Sequence, residues 1–427
     1  LWFLSLAFGL ISIQSEKQLS PSIQSIIDRT FFEKSAAVSE AFYFYISKFF
    51  YPINLYSIYP KNPILGHSLW IRYGASILFL LLLLLLLKIT FFSRRPYDKL
   101  TLFCLWNFGI VAGPILGWFP TSYMKITHVA DRYNYHPLPF LILFIALVFY
   151  WIINLIHKPR IKFFYLTGGI LCIFLCVLTF QQSMTWTNSI RLWLHCLRFN
   201  VLEPSCFYNL GQAYYDKGNF EEAKKAFDES LKINPEFPLP LYAFADLALK
   251  QKDLTGAKIY FQKISNSPKT ETENYLSLKI YSIYMLGMIS EKLEENPEAI
   301  RYYQDVLREY SENKKKNLIH KSTLFNLGRL LCKQGRYEEA QLYLLELKKE
   351  NFRLGEIDIT LGYSFSNSDP KKAEAYFLKA LDYFNNHSGQ QVVYWNLYIL
   401  YQNTKQYAKA LSILEQFILT HSQDISW

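Results

Sequence analysis

Apolar residues fall into two regimes along this chain. Up to residue 181 they form long, almost unbroken runs, and after residue 200 they recur at helical spacing between charged positions. In the first regime Trp70–Phe92 (all leucine from Leu80 to Leu87), Leu100–Phe119, Pro137–Ile156 and Phe163–Gln181 each approach the roughly 20 residues that carry a helix through a bilayer. The run Leu1–Ile13 has neither a basic segment before it nor a small-residue cleavage site after it, so it makes a poor signal peptide. It reads as the tail of a fifth spanning helix, and the chain looks like the C-terminal part of something longer. Between these runs, Phe31–Tyr51 has a helical, aromatic pattern broken by Glu33, Lys34, Glu40 and Lys48. It predicts either an interfacial helix or a plain connector, ended by the prolines of Tyr51–Pro60. The prediction is an all-α protein: polytopic transmembrane helices over residues 1–181, an amphipathic link over 182–203, and a helical solenoid over 204–427.

The second regime repeats at about 34 residues, the tetratricopeptide (TPR) period. Its first unit has Leu210-Gly211, Tyr214, Gly218, Ala223, Phe227 and Pro235. The glycine lets the first helix of a pair approach the second, the alanine makes room, and the aromatic fills the gap. The pattern returns at Phe244-Ala245 with Ala257 and Phe261, and at Leu286-Gly287 with Ala299 and Tyr303. It returns again at Leu327-Gly328 with Gly335 and Ala340, at Leu361-Gly362 with Ala373, Phe377 and Ala380, and at Leu397 with Ala410 and Leu414. The interval to the alanine shortens by one residue in the fifth unit, where the turn at Ser368-Asp369 is shorter. Six TPR-like units are therefore expected.

Solenoids of this kind bind partners along a concave face lined by the first helices. Three residues before each glycine or its equivalent stand Tyr208, Tyr242, Tyr284, Phe325 and Trp395, with Asn209, Asn326 and Asn396 beside them. These predict an aromatic and amide-lined groove for an extended peptide, against the alternative that the rings pack between repeats.

Composition alters the picture in orientation and compartment. Of 427 residues 51% are hydrophobic and only 19% charged, so a strongly apolar region must offset the polar repeats. The net charge of +10 is spread out, without a basic helix interleaved with stacking aromatics, which excludes a nucleic-acid footprint. The clustered Lys and Arg of Ser93–Lys99 and His157–Lys162 place those two short loops in the cytoplasm. Everything after Gln182 then lies outside it: luminal, extracellular or, in the bacterial inner membrane expected here, periplasmic. The six cysteines show no metal-ligand spacing. Cys196 and Cys206 could pair outside the cytoplasm but are read as free thiols.

Four further segments then line up with a known family. Tyr51–Pro60 (YPINLYSIYP), Ser93–Lys99 (SRRPYDK), His128–Pro139 (HVADRYNYHPLP) and Trp186–Asn200 (WTNSIRLWLHCLRFN), followed by the repeats, resemble the transmembrane and TPR O-mannosyltransferases and their bacterial relatives. The resemblance covers nearly the whole chain. It implies a partial GT-C-like membrane domain, a polyprenyl-phosphate sugar donor, no metal and no cofactor, and acceptor protein held by the repeats. The family's general base would lie upstream of Leu1, leaving Asp131 as a weak candidate here. Arg132, Lys125 and His128 would hold the lipid phosphate, because transfer from such a donor needs cations to steady the leaving group. On the residues alone, Asp131–Arg132 reads instead as a structural pair, with the tyrosines anchoring a helix end; the resemblance is what brings Arg132 forward as a phosphate ligand. The expected function is thus a membrane-anchored component of a protein O-glycosyltransferase, with a non-catalytic TPR scaffold for envelope proteins or an oligosaccharide ligase or polymerase as alternatives.

Overall fold

The computed structural model describes residues 31–53, 55, 77, 81, 84, 88, 96–116, 135–155, 161–199, 202–267, 273–313, 317–384 and 387–421. Among them every regular element is a helix. These are α1 (Phe31–Phe50), α2 (Pro96–Leu116), α3 (Leu138–Leu155), α4 (Ile161–Trp186) and α5 (Ser189–Phe199), followed by α6 (Pro204–Tyr215), α7 (Phe220–Ile233), α8 (Pro238–Lys250) and α9 (Leu254–Asn266). Then come α10 (Glu273–Lys292), α11 (Asn296–Asn313), α12 (Leu318–Lys333), α13 (Tyr337–Lys349), α14 (Leu354–Phe365), α15 (Pro370–Leu381), α16 (His387–Asn403) and α17 (Tyr407–His421). The chain forms two compact units, Leu1–Phe244 with Glu271–Asn274, and Ala245–Thr270 with Tyr275–Trp427.

In the first unit α1 packs on α2 through Val38, Ala41, Phe44, Tyr45, Ala112 and Leu116. The helix α1 ends at Phe50, just before the proline segment that halts it. One stretch among the described residues, Tyr165–Trp186 within α4, is long and apolar enough to cross a bilayer. It exposes apolar side chains on every side, among them Leu166, Ile170, Ile173, Phe174, Val177 and Phe180. The runs expected to span at 100–119 and 137–156 give α2 and α3, whose apolar stretches Lys99–Ala112 and Leu138–Trp151 are shorter than a span needs. The run at 1–13 lies outside the described residues, as does 70–92 apart from four helical positions.

After α4 the short amphipathic α5 packs along α6. Its Cys196 is bonded to Cys206 of α6 across a Cα–Cα distance of 6.3 Å, and both are buried. This corrects the reading of the two as free thiols: burying the apolar side of α5 on the first turn of α6 sets the sulfurs face to face.

From α6 onward the helices alternate as first and second members of successive pairs, for the reason the spacing implies. A Cβ on Gly211 would stand 2.5 Å from Phe227, on Gly287 2.6 Å from Tyr303, on Gly328 2.8 Å from Leu344 and on Gly362 2.6 Å from Phe377. Facing them, Ala223, Ala257, Ala299, Ala340, Ala373 and Ala410 are buried. The link between the helices of a pair uses a left-handed residue seven positions after Gly211, Ala245, Gly287, Gly328 and Tyr398, namely Gly218 (φ 80°), Lys252 (62°), Glu294 (63°), Gly335 (76°) and Lys405 (58°). Only two of these are the glycines that such a φ favours. The shorter turn of the fifth pair dispenses with that residue: Asp369, at φ −145°, instead caps α15 by accepting from the Lys372 backbone N–H at 3.1 Å. In the second unit the core runs continuously from Ala299 to Ile413.

Candidate protein-binding face

Within the second unit the predicted groove residues come from α10, α12 and α16. The phenol of Tyr284, half-buried on α10, accepts a hydrogen bond from Asn326 Nδ2 at 3.2 Å, joining neighbouring first helices. Burial raises the Tyr284 pKa, opposed by hydrogen bonds from Asn326 and Ser322. Its ring lies 6.2 Å from that of Tyr303, the aromatic that fills the gap beside Gly287. Phe325 does not line an open groove. It is buried, and the guanidinium of Arg353 lies over its ring at 4.7 Å. Arg353 stands in the left-handed region (φ 43°) at the start of α14 and is anchored by Glu356, its Nε donating at 3.1 Å.

Further along, Trp395 is 58% exposed, its ring tilted 30° against Tyr398 at 5.5 Å. Asn396 is half-buried and turns its Nδ2 back to the Val392 carbonyl at 2.7 Å, within its own helix. Its amide nitrogen is thus engaged within its own helix.

The first unit is different in kind. Tyr208 is wedged between Phe227 at 5.9 Å and Phe237 at 6.0 Å, the surroundings of a packing residue. Asn209 and Tyr242 are half-buried. Lys125, His128, Asp131 and Arg132, the residues expected at a lipid phosphate, lie outside the described residues.

The structure adds residues to this face that the spacing rule passed over. Arg329, one position after Gly328, reaches back to Glu291 of α10, and Glu291 also accepts from the buried Tyr303 hydroxyl at 3.2 Å. Burial, with Glu291 beside it, raises the Tyr303 pKa far above the usual range. Tyr363, one position after Gly362, is exposed and stacks edge-on with Tyr337 at 6.2 Å. The register one residue after each glycine would have found Arg329 and Tyr363; nothing in the local sequence marks Arg353. Cys332, beneath this face, is chemically quiet, since burial pushes its thiol up to about 12.

The tetratricopeptide-repeat family matches residues 204–237, and a second description of the same repeat matches 279–347. Both segments are tetratricopeptide repeats. A TPR repeat-containing protein of Methanocaldococcus jannaschii, MJ1428, is 26% identical over 166 residues, covering 39% of this chain and 27% of that protein. The CTR9 homolog of Arabidopsis thaliana is 31% identical over 100 residues, which is 22% of this chain and 8% of the plant protein. The chain thus spans little more than a quarter of the first relative and less than a tenth of the second. Among solved structures, YrrB, a TPR protein described as having an unusual peptide-binding site, aligns with a TM-score of 0.39 at 18% identity, over 46% of this chain and 94% of its own.

Proposed function

We propose that this chain is a membrane-anchored TPR protein that holds a polypeptide partner on the first-helix face of its repeats, outside the cytoplasm. The observation that carries the binding role is Trp395. A large aromatic left 58% open to water on a helix whose Leu397 and Leu400 are buried is the kind of anchor that interfaces concentrate their energy on. Asn326, Arg329 and Tyr363, in the second unit's first helices, offer amide, cation and phenol groups suited to an extended peptide. Anchoring is supported by α4, whose exposed apolar surface on all sides suits lipid rather than water. The proposed organisation keeps residues 1–181 as the membrane domain, with further spans beyond α4, 182–203 as the link and 204–427 as the repeats. The bonded pair Cys196–Cys206, a short way past α4, supports the non-cytoplasmic side, because such bonds persist in oxidising compartments.

The test is a peptide-library screen against the full chain in detergent or nanodiscs, followed by variants. Trp395→Ala is expected to weaken a selected peptide by roughly 30-fold, about 2 kcal/mol, with an unchanged melting temperature. Equal affinity for wild type and variant would remove Trp395 from the site.

A second reading rests on His128–Pro139 and its resemblance to the O-mannosyltransferase-like family. In it the partner is an acceptor protein, and Arg132 steadies a polyprenyl-phosphate sugar at the membrane surface with Lys125 and His128. Arg132→Ala should then abolish protein O-glycosylation in a host carrying the complete enzyme while leaving membrane insertion intact. Undiminished glycosylation would leave the scaffold reading, in which the repeats gather envelope proteins.

A further inference from the structure

The stretch Tyr165–Trp186 of α4 has an exposed aromatic ring at either end. Its 22 residues rise about 33 Å as a helix, close to the roughly 30 Å of a hydrocarbon core, and Tyr and Trp collect at both edges of that core. On the membrane-anchored reading proposed above, on which this inference rests, Trp186 therefore marks the edge of the bilayer. Only Thr187 and Asn188 separate it from α5. Asn188 Oδ1 accepts from the Ile190 backbone N–H at 2.9 Å, a capping contact that closes one helix and opens the next, so α5 starts at the headgroups. Three contacts then hold α5 in one orientation. It packs along α6, Cys196 is bonded to Cys206, and Lys217 of the α6–α7 turn donates to Asn188 Oδ1 at 3.4 Å. One side of α5 is thus committed to the first repeat. The other side exposes Arg191, Leu194 and Arg198, which share a helix face by their three- and four-residue spacing. The sequence of α5 contains no acidic residue. Burial, with Arg198 beside it, lowers the His195 pKa and keeps its imidazole neutral near neutral pH. The charge of this face is that of its two guanidinium groups.

We infer that this face of α5 is a second membrane contact, in which Arg191 and Arg198 bind phospholipid phosphates of the leaflet where α4 emerges and Leu194 enters the acyl boundary between them. A guanidinium offers paired N–H donors that match phosphate oxygens, and two of them on one face favour anionic headgroups. A basic helix with an apolar residue at the centre of its face is suited to lie in that layer. What selects lipid over a soluble partner is position: the face begins within a few residues of the bilayer edge and is fixed there by the chain itself. The contact has a consequence for the repeats. With α4 through the bilayer, α5 on its surface and α5 bonded to α6, the first repeat is held at the membrane in one orientation instead of swinging on a loose tether.

The test is photo-crosslinking of the full chain in nanodiscs made of equal parts phosphatidylglycerol and phosphatidylcholine. Benzoylphenylalanine replaces Leu194 or, in a separate sample, Ile173, which is exposed on α4. Lipid adducts at Ile173 report the anchoring reading by itself, whatever α5 does. At Leu194, lipid adducts that favour phosphatidylglycerol are expected. Arg191→Gln with Arg198→Gln should lower their yield about tenfold without lowering the melting temperature, since both side chains are exposed. Lipid at Ile173 with none at Leu194 overturns the inference and leaves the anchor standing. So do adducts to protein at Leu194, or a yield indifferent to the arginines. No lipid at Ile173 sinks the anchored reading and this inference with it.

Discussion

Lys348→Ala is expected to destabilise the repeat domain by about 3–5 kcal/mol, measured as a fall in the urea or thermal midpoint of the solubilised chain. Asp358 sits wholly buried on α14 with its Oδ1 paired to the Lys348 ammonium, and its Oδ2 has no hydrogen-bond partner. Removing the ammonium leaves a carboxylate in the core with nothing to offset its desolvation. The lysine is also held from its other side: its Nζ lies 4.5 Å from the centre of the Tyr376 ring, which stacks on Phe365 at 5.7 Å. The pair need not contribute much on balance. Lys348→Met with Asp358→Leu should recover most of the loss, because a buried ion pair and an apolar pair of like volume often differ little. A double variant as unstable as Lys348→Ala would mean that the pair fixes the packing of α13 on α14 by its geometry.

The second large effect is expected at the link into the repeats. Cys206→Ser should cost about 3 kcal/mol, the unfolded-state entropy returned when a loop of this short length is opened. The loss should be confined to the melting of the first repeat, since α5, α6 and α7 form the local packing around the bond. The same bond reports the compartment. Alkylation of the chain in intact cells, before extraction, should find Cys196 and Cys206 blocked and Cys172 and Cys176 open to reagent once the membrane is dissolved. Free thiols at 196 and 206 would place the repeats on the reducing side and sink the proposed orientation.

The repeat architecture was legible because it depends on volume. A glycine or alanine eleven or twelve residues before an alanine, with an aromatic or leucine side chain between the helices, admits one antiparallel packing, and the close approaches at Gly211, Gly287, Gly328 and Gly362 are that packing. The shorter fifth turn could be read for the same reason, as a count of residues. The left-handed turn was legible only at Gly218 and Gly335. Lys252, Glu294 and Lys405 adopt it under tertiary constraint, with no local preference to announce it.

The proposed binding face was legible only in part. Register placed the predicted residues on the first helices, and Trp395 stands open there. Register could not tell which rings the neighbouring pair would cover. Phe325 shares its register with Trp395, yet Arg353 arrives from a turn far along the chain and lies over it. Tyr208 is likewise taken up by Phe227 and Phe237.

The sequence by itself determined that the described residues fold as helices, that they carry tetratricopeptide repeats, and where their turns fall, because these follow from the periodic spacing of small and large side chains. The tertiary structure decided what depends on meetings between residues distant in space. These are the Cys196–Cys206 bond, the burial of Asp358 against Lys348, and the covering of Phe325. Each turns on which neighbour arrives, and local periodicity carries no information about that.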